Sequence, residues 1–272
     1  MLVRVLLAAL VVSATLVAPL ASAAIIVHST GSSSCCSGSS DDPDVYNLDD
    51  DGQFESFFFS PFDVGDLAWS NSGLLVGHED SGTIARVDER GGLLGLISTG
   101  VNRIDGLAVD STGDIFVAED GSNRMFRLNS AGTFLDLRFM PLQIESLGVD
   151  SSNNLIFAER TGTSSSSTFD IVRWDYDNGV EVSRFSTNLR VVYGLTGLGD
   201  DILAVGRESS CCSSSPSQIF RFGASGALVD AINGPQNMGS IAAHAPEPGT
   251  ALLMGLGLMG LSRTTRTRRA VN

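Results

Sequence analysis

Between Asp105 and Leu135 the chain alternates apolar and other positions with a period of two. Leu107, Val109, Ile115, Val117, Phe126 and Leu128 hold the apolar phase, and Ser111-Thr112-Gly113 and Asn129-Ser130-Ala131-Gly132 interrupt it. Such alternation, broken by Gly, Ser and Asn, predicts short antiparallel strands joined by tight turns, here about four in thirty residues.

Four segments repeat the pattern. Residues 65–69 (GDLAW), 105–109 (DGLAV), 145–149 (ESLGV) and 193–197 (YGLTG) open the units. Residues 74–80, 115–120, 155–160 and 202–208 supply second strands, and turns near 88–92, 129–132, 177–179 and 223–226 separate the third and fourth. A four-stranded unit recurring about every forty residues predicts the blades of a β-propeller. Two fragments remain. Residues 25–59 align with the second to fourth strands of the last unit, and residues 238–244 (MGSIAAH) look like an opening strand. Together they predict a fifth blade made from both sides of the chain, because an unclosed ring would expose sheet edges. The expectation is an all-β fold: a propeller of five four-stranded blades closed by a strand from the C-terminal side. The alternative is six blades, which needs a further repeat.

Residues 1–23 read as a secretory signal peptide. Arg4 gives a positive start, residues 5–20 are apolar, and Ala21-Ser22-Ala23 forms a small-residue cleavage site marked by Ala21 and Ala23. The domain expectation is therefore signal peptide 1–23, propeller 24–244 and C-terminal segment 245–272.

Charge narrows the partners. All 17 basic residues are Arg, against 31 acidic ones. Five of the Arg and one acid lie in the two terminal segments, leaving 12 against 30, or −18, between them. Such a body repels nucleic-acid phosphates and anionic lipid headgroups, while cations, neutral sugars and basic partners remain.

Pro246-Glu247-Pro248 precedes an apolar run, residues 249–261, and an Arg-rich end with Arg263, Arg266, Arg268 and Arg269. This order is similar to the PEP-CTERM sorting signal of Gram-negative bacteria that make exopolysaccharide. The resemblance implies an exosortase and the secretion machinery as partners, with Pro246, Glu247 and Pro248 as the sorting motif. It also implies a cell-surface or matrix destination. An apolar run followed by Arg gives positive-inside orientation. At 13 residues it is shorter than the roughly eighteen of a stable span. The expectation is transient anchoring in the inner membrane by a short transmembrane helix. Gly106-Leu107-Ala108-Val109-Asp110, Gly113–Glu119 and Asn123-Arg124 further resemble NHL propeller repeats, with Glu119 where that family usually has Asp.

Candidate chemistry is sparse. Cys35-Cys36 and Cys211-Cys212 fall in Ser-rich loops at equivalent places of the first and last units. They predict disulfides, either cross-linking the two loops or closing each pair on itself. Asp66, Glu79, Asp105, Glu119 and Glu145 recur at one end of the blades and mark a face for a ligand or a cation, with Ca2+ the candidate ion. The plainer reading makes them repeat residues paired with Arg124 and its equivalents. Asp49-Asp50-Asp51-Gly52 aligns with hairpin turns, which suffices to explain it. His28 and His78 lie near equivalent strand ends, and Trp69 and Trp174 read as core residues. No catalytic triad, nucleophile elbow, phosphate loop or zinc motif is visible. The expected function is that of an exported monomeric propeller binding matrix polysaccharide or protein, without a required cofactor. The rival is a metal-dependent hydrolase or lyase resembling the gluconolactonase-like propellers.

Overall fold

The computed structural model describes residues 24–29, 45–49, 53–58, 60, 64–88, 90–144, 146–162, 167–208, 217–235 and 238–244. Residues Ala23–Ala245 form one compact unit. Its described residues make five four-stranded antiparallel sheets. The first blade holds β4 (Val64–Ser70), β5 (Gly73–His78), β6 (Thr83–Val87) and β7 (Leu93–Ser98). The second holds β8 (Ile104–Val109), β9 (Ile115–Glu119), β10 (Arg124–Leu128) and β11 (Phe134–Phe139). The third holds β12 (Leu147–Val149), β13 (Leu155–Thr161), β14 (Thr168–Asp175) and β15 (Val180–Ser186). The fourth holds β16 (Val191–Leu198), β17 (Asp201–Arg207), β18 (Gln218–Phe222) and β19 (Leu228–Asn233). The fifth combines β20 (Met238–His244) with β1 (Ala24–Ser29), β2 (Val45–Leu48) and β3 (Phe54–Phe58).

The expectation of closure is corrected here. Among the described residues no sheet is closed by hydrogen bonds; every blade is an open sheet with an inner and an outer edge. β20 lies antiparallel to β1, with Ile25 opposite Ala243 and Val27 opposite Ile241, and forms the inner strand of its own blade. The ring is continuous through packing instead: β4 meets β8, β8 meets β12, β12 meets β16, β16 meets β20, and β20 meets β4. The reason is geometric, because the inner strands face one another around an axis with their backbone edges turned inward. The six-blade alternative is likewise set aside, since the described residues form five sheets. The expected transmembrane helix and disulfides find no counterpart: among the described residues no helix is long and apolar enough to cross a membrane, and the described residues include no Cys. The four Cys (Cys35, Cys36, Cys211, Cys212), the signal-cleavage residues Ala21 and Ala23, Pro246–Pro248 and the apolar run lie outside the described residues.

Five separate cores lie between successive blades, each drawn from the facing sides of two sheets. Leu75, Ile84, Leu107 and Val117 meet between the first and second blades. Phe116, Met125, Leu147 and Phe157 meet between the second and third. Ile26, Leu67, Val76 and Ala242 join the fifth blade to the first. Trp69 and Trp174 pack half-buried against these cores. The period-two pattern thus fills both faces of each inner sheet, which is why β9 is buried at every position.

The turns follow from local chemistry. Asp110 Oδ1 accepts from the backbone of Thr112 and Asp114, and Asp150 Oδ1 from Ser152 and Asn154. Gly113 (φ 88) takes the left-handed position of the first turn, and Asn153 (φ 63) takes it in the second. Asn is one of the few other residues that tolerates that region. Asp49 caps the β2–β3 turn in the same way: its Oδ1 accepts from Gln53 N at 2.7 Å, and its own backbone N–H donates to the Gln53 carbonyl at 2.9 Å.

Near the axis the strands come too close for side chains at several positions. A Cβ at Gly148 would lie 2.8 Å from the Leu195 carbonyl oxygen, and one at Gly197 would strike the Val149 carbonyl oxygen. Gly95 on outer strand β7 has nothing within 4 Å of such an atom. We expect Gly197→Ala to destabilise the fold by about 1–3 kcal/mol and Gly95→Ala to leave it within about 1 kcal/mol. Urea denaturation of the two variants measures this.

His28 sits at the seam of the fifth and first blades, buried, in a register that carries Gly77, Ala118 and Ala158 elsewhere. Burial lowers its pKa from 6.5 to about 4. The folded protein therefore excludes a proton that the unfolded chain accepts. The stability contributed is present above pH 6.5 and lost as pH falls toward 4, roughly 3 kcal/mol over the window. His28→Gln is expected to flatten that acid limb in unfolding titrations.

Candidate functional site

Register, rather than sequence spacing, places the residues at the mouth of the ring. Leu67, Leu107, Leu147, Leu195 and Ile241 occupy the same pairing position on the five inner strands, opposite Val76, Val117, Phe157, Ala204 and Val27. The residues just before them are Asp66, Gly106, Ser146, Gly194 and Ser240. One residue further out, β4, β8 and β16 carry register shifts at Gly65, Asp105 and Tyr193. An extra residue in an edge strand re-aims side chains at a rim, and here it sets Asp105 and Tyr193 at the mouth. Arg207 stands over the Tyr193 ring at 5.6 Å. Glu145 lies outside the described residues.

Asp66 and Asp105 therefore differ by one register step, although both begin a first strand in the sequence. Asp66 lies deeper and is buried. Its Oδ1 accepts from Leu67 N at 2.9 Å and its Oδ2 from Leu107 N at 2.8 Å. The backbone of Leu147 also donates to it. One carboxyl group thus collects inner-edge N–H groups from three blades and ties them together at the axis. Desolvation pushes its pKa well above the ordinary range, the backbone donors pull it down, and the Asp105 charge raises it further. Below it the inner strands enclose an axial cavity of about 90 Å3, lined by Leu67, Trp69, Leu107, Leu147, Leu195 and Gly197 among others.

The other candidate carboxylates are held by Arg. Glu119 is buried; it pairs with Arg124 and accepts from Asn102 N at 3.2 Å and Ser122 Oγ at 3.1 Å. Its register equivalents are His78 and Glu159, not Glu79. Glu159 pairs with Arg184 at 2.9 Å. Glu79 corresponds to Asp120, and Arg103 bridges both, at 2.9 Å and 2.6 Å, across the first seam. Among the described residues no three His, Cys, Asp or Glu side chains cluster as a metal site. Structure therefore separates the four described candidates: Asp66 and Asp105 begin inner strands at the axial end, while Glu79 and Glu119 are engaged between and within blades. Aligning the units on Leu67, Leu107, Leu147, Leu195 and Ile241 gives Ser146 and Ser240 the repeat position of Asp66.

On the flank, a groove of about 210 Å3 runs between the third and fourth blades. Ser186, Thr187, Asn188 and Glu208 give it polar walls, and Phe220 and Phe222 an apolar floor. Hydroxyl, amide and carboxylate groups over an apolar base suit a neutral polyhydroxylated ligand.

Comparison with known proteins agrees with this architecture. Residues 244–269 match the family model of the PEP-CTERM protein-sorting motif. The chain is thus an exported, PEP-CTERM-tagged five-bladed β-propeller, sorted to the cell surface through an exosortase-linked route. A protein of unknown function from Bacteroides caccae superposes with a TM-score of 0.52 at 11% identity, over 83% of this chain and 100% of its own. Myxococcus xanthus glutaminyl cyclase superposes with a TM-score of 0.52 at 14% identity, over 69% of this chain and 82% of its own. At such identities the likeness shows the fold alone. No curated protein matches the sequence.

The two glutamates of the seam and blade should respond differently to truncation. Glu119→Ala is expected to cost about 1–3 kcal/mol by stranding buried donors. Glu79→Ala, at an exposed pair, should leave the denaturation midpoint unchanged.

Proposed function

We propose that this protein is a surface-sorted binding propeller of the extracellular matrix, whose ligand is a neutral matrix polysaccharide. The observation that carries the reading is the sorting motif at residues 244–269, which begins on the last residue of inner strand β20. A body of net charge −18 favours neutral or cationic partners over anionic polymers. The groove walled by Ser186, Thr187, Asn188 and Glu208 supplies hydrogen-bonding groups of the kind that recognise sugar hydroxyls. The blades are of NHL-like type. The signal peptide directs export, the apolar run holds the chain briefly at the inner membrane, and exosortase processing near Pro246 releases the propeller.

The test is expression of the full chain in an exosortase-positive, exopolysaccharide-producing host and in its exosortase-deficient derivative. The propeller is expected in the matrix fraction of the first, with an intact mass that has lost the C-terminal segment. It should remain with the inner membrane in the second, and in a Pro246→Ala/Glu247→Ala/Pro248→Ala variant of the first. A full-length species in the matrix of both hosts would refute exosortase processing. For the ligand, Asn188→Ala/Glu208→Ala should weaken retention on purified matrix polysaccharide, and retention equal to wild type would remove the groove from the account.

A further inference from the structure

The two ends of the propeller meet where every other blade has a hairpin. In the first four blades the first strand turns directly into the second. Ser70 lies opposite Gly73 and Leu198 opposite Asp201, while Asp110 and Asp150 donate their backbone N–H groups to the Asp114 and Asn154 carbonyls at 3.0 Å. In the fifth blade the same end of the same strand pair holds Ala24 opposite His244. Antiparallel partners stand about 5 Å apart, so the chain enters and leaves the ring side by side, at one missing turn. Both ladder ends coincide with export signals. Ala24 follows the small-residue cleavage site Ala21-Ser22-Ala23, and His244 is the first residue matched by the sorting motif. The His244 ring also packs 5.1 Å from that of Trp69 on β4, which fixes the exit against the first blade as well as its own.

Strand direction identifies the face. The inner strands start at the mouth end, with Asp66 and Asp105, and run to Ser70 and Val109. β20 runs the same way, with Ile241 at the level of Leu67 and its end at His244, and β1 starts back from Ala24. Both chain ends therefore leave by the turn face, opposite the mouth. Turns between third and fourth strands, such as 223–226, lie on that face too. Four residues, 245–248, separate His244 from the apolar run 249–261, and four extended residues reach at most about 14 Å.

We infer that the propeller awaits sorting with its turn face toward the membrane and its mouth directed away from it. The inference rests on the export and sorting reading above. Because β20 is an inner strand, the tether leaves close to the axis, at the middle of the turn face. A tether so short and so placed keeps that face next to the surface. Before signal cleavage a second tether leaves from the neighbouring strand β1 and acts in the same sense. The mouth is thus open to the outside before release as well as after it, and the chain can meet a ligand while still held.

The chain contains no Lys, so a single introduced lysine can be followed beside the amino terminus alone. Asn71→Lys and Ser225→Lys place it in exposed turns of the turn face, Asp80→Lys and Gln143→Lys in exposed loops at the mouth end. Each full-length variant is made in the exosortase-deficient host, and its inner-membrane form is treated, after the outer membrane is opened, with a bulky membrane-impermeant amine-reactive polymer. The matrix form of the same variant from the exosortase-positive host is the reference, and peptide mapping locates the label. Asn71→Lys and Ser225→Lys are expected to react several-fold more slowly in the membrane form than in the matrix form, and Asp80→Lys and Gln143→Lys equally fast in both. A membrane-held chain that reacts alike at both faces, or that is protected at the mouth end, overturns the orientation and leaves the sorting reading standing. A chain that the membrane of the deficient host does not retain overturns the sorting reading, and the orientation with it.

Discussion

The close approach of five inner strands around one axis is the constraint on which the rest of this structure depends. β4, β8, β12, β16 and β20 turn their free backbone edges inward. At that distance a side chain is tolerated only if it is small or if it bonds the facing backbone. Gly148, Gly194 and Gly197 meet the first condition. Asp66 meets the second, gathering N–H groups of Leu67, Leu107 and Leu147. Inner-edge amides have no strand to pair with, and buried backbone donors without partners are costly. Asp66 thus answers for several blades a need that every blade shares.

From the axis outward the strands diverge, and packing takes over from backbone contact. Each seam carries its own apolar core, so the ring is held by five similar interfaces and no hydrogen-bonded closure. Charged residues reinforce this scheme locally. Arg127 meets Asp114 at 2.8 Å and Arg221 meets Asp201 at 2.6 Å, at equivalent places in two blades. In the first blade Gly73 takes the acid's place, and Arg86 turns its Nη2 to the Ser130 carbonyl of the next blade. The same repeated position therefore serves a blade internally in one case and a seam in another.

At the rim the outer strands expose large apolar side chains at one equivalent position: Phe54, Leu93, Phe134 and Leu228. Exposed outer edges of this kind invite association between chains. The strong negative charge of the body opposes it. Negative charge on every copy thus opposes pairing of these edges.

Much of this was legible in the sequence, for a physical reason. Alternation and turn residues are local, so the strands, the hairpins at Asp49 and Asn129, and the membership of 238–244 with 25–59 follow from short stretches. The sorting motif is equally local, being read as a linear segment. What the sequence obscured is register. A bulge at Gly65 or Asp105 leaves no mark in an alternating pattern, yet it shifts every polar residue beyond it by one step. Asp66 and Asp105 occupy different depths because they stand one and two residues before the equivalent Leu67 and Leu107, and Glu79 and Glu119 stand three and two residues after the equivalent Val76 and Val117. Sequence alone determined what each blade is made of and where the chain is sent, because those depend on neighbours along the chain. Only the tertiary structure decided that the ring is joined by packing and that Asp66 gathers backbone N–H groups from more than one inner strand. Those relations depend on how closely strands from different blades approach the axis.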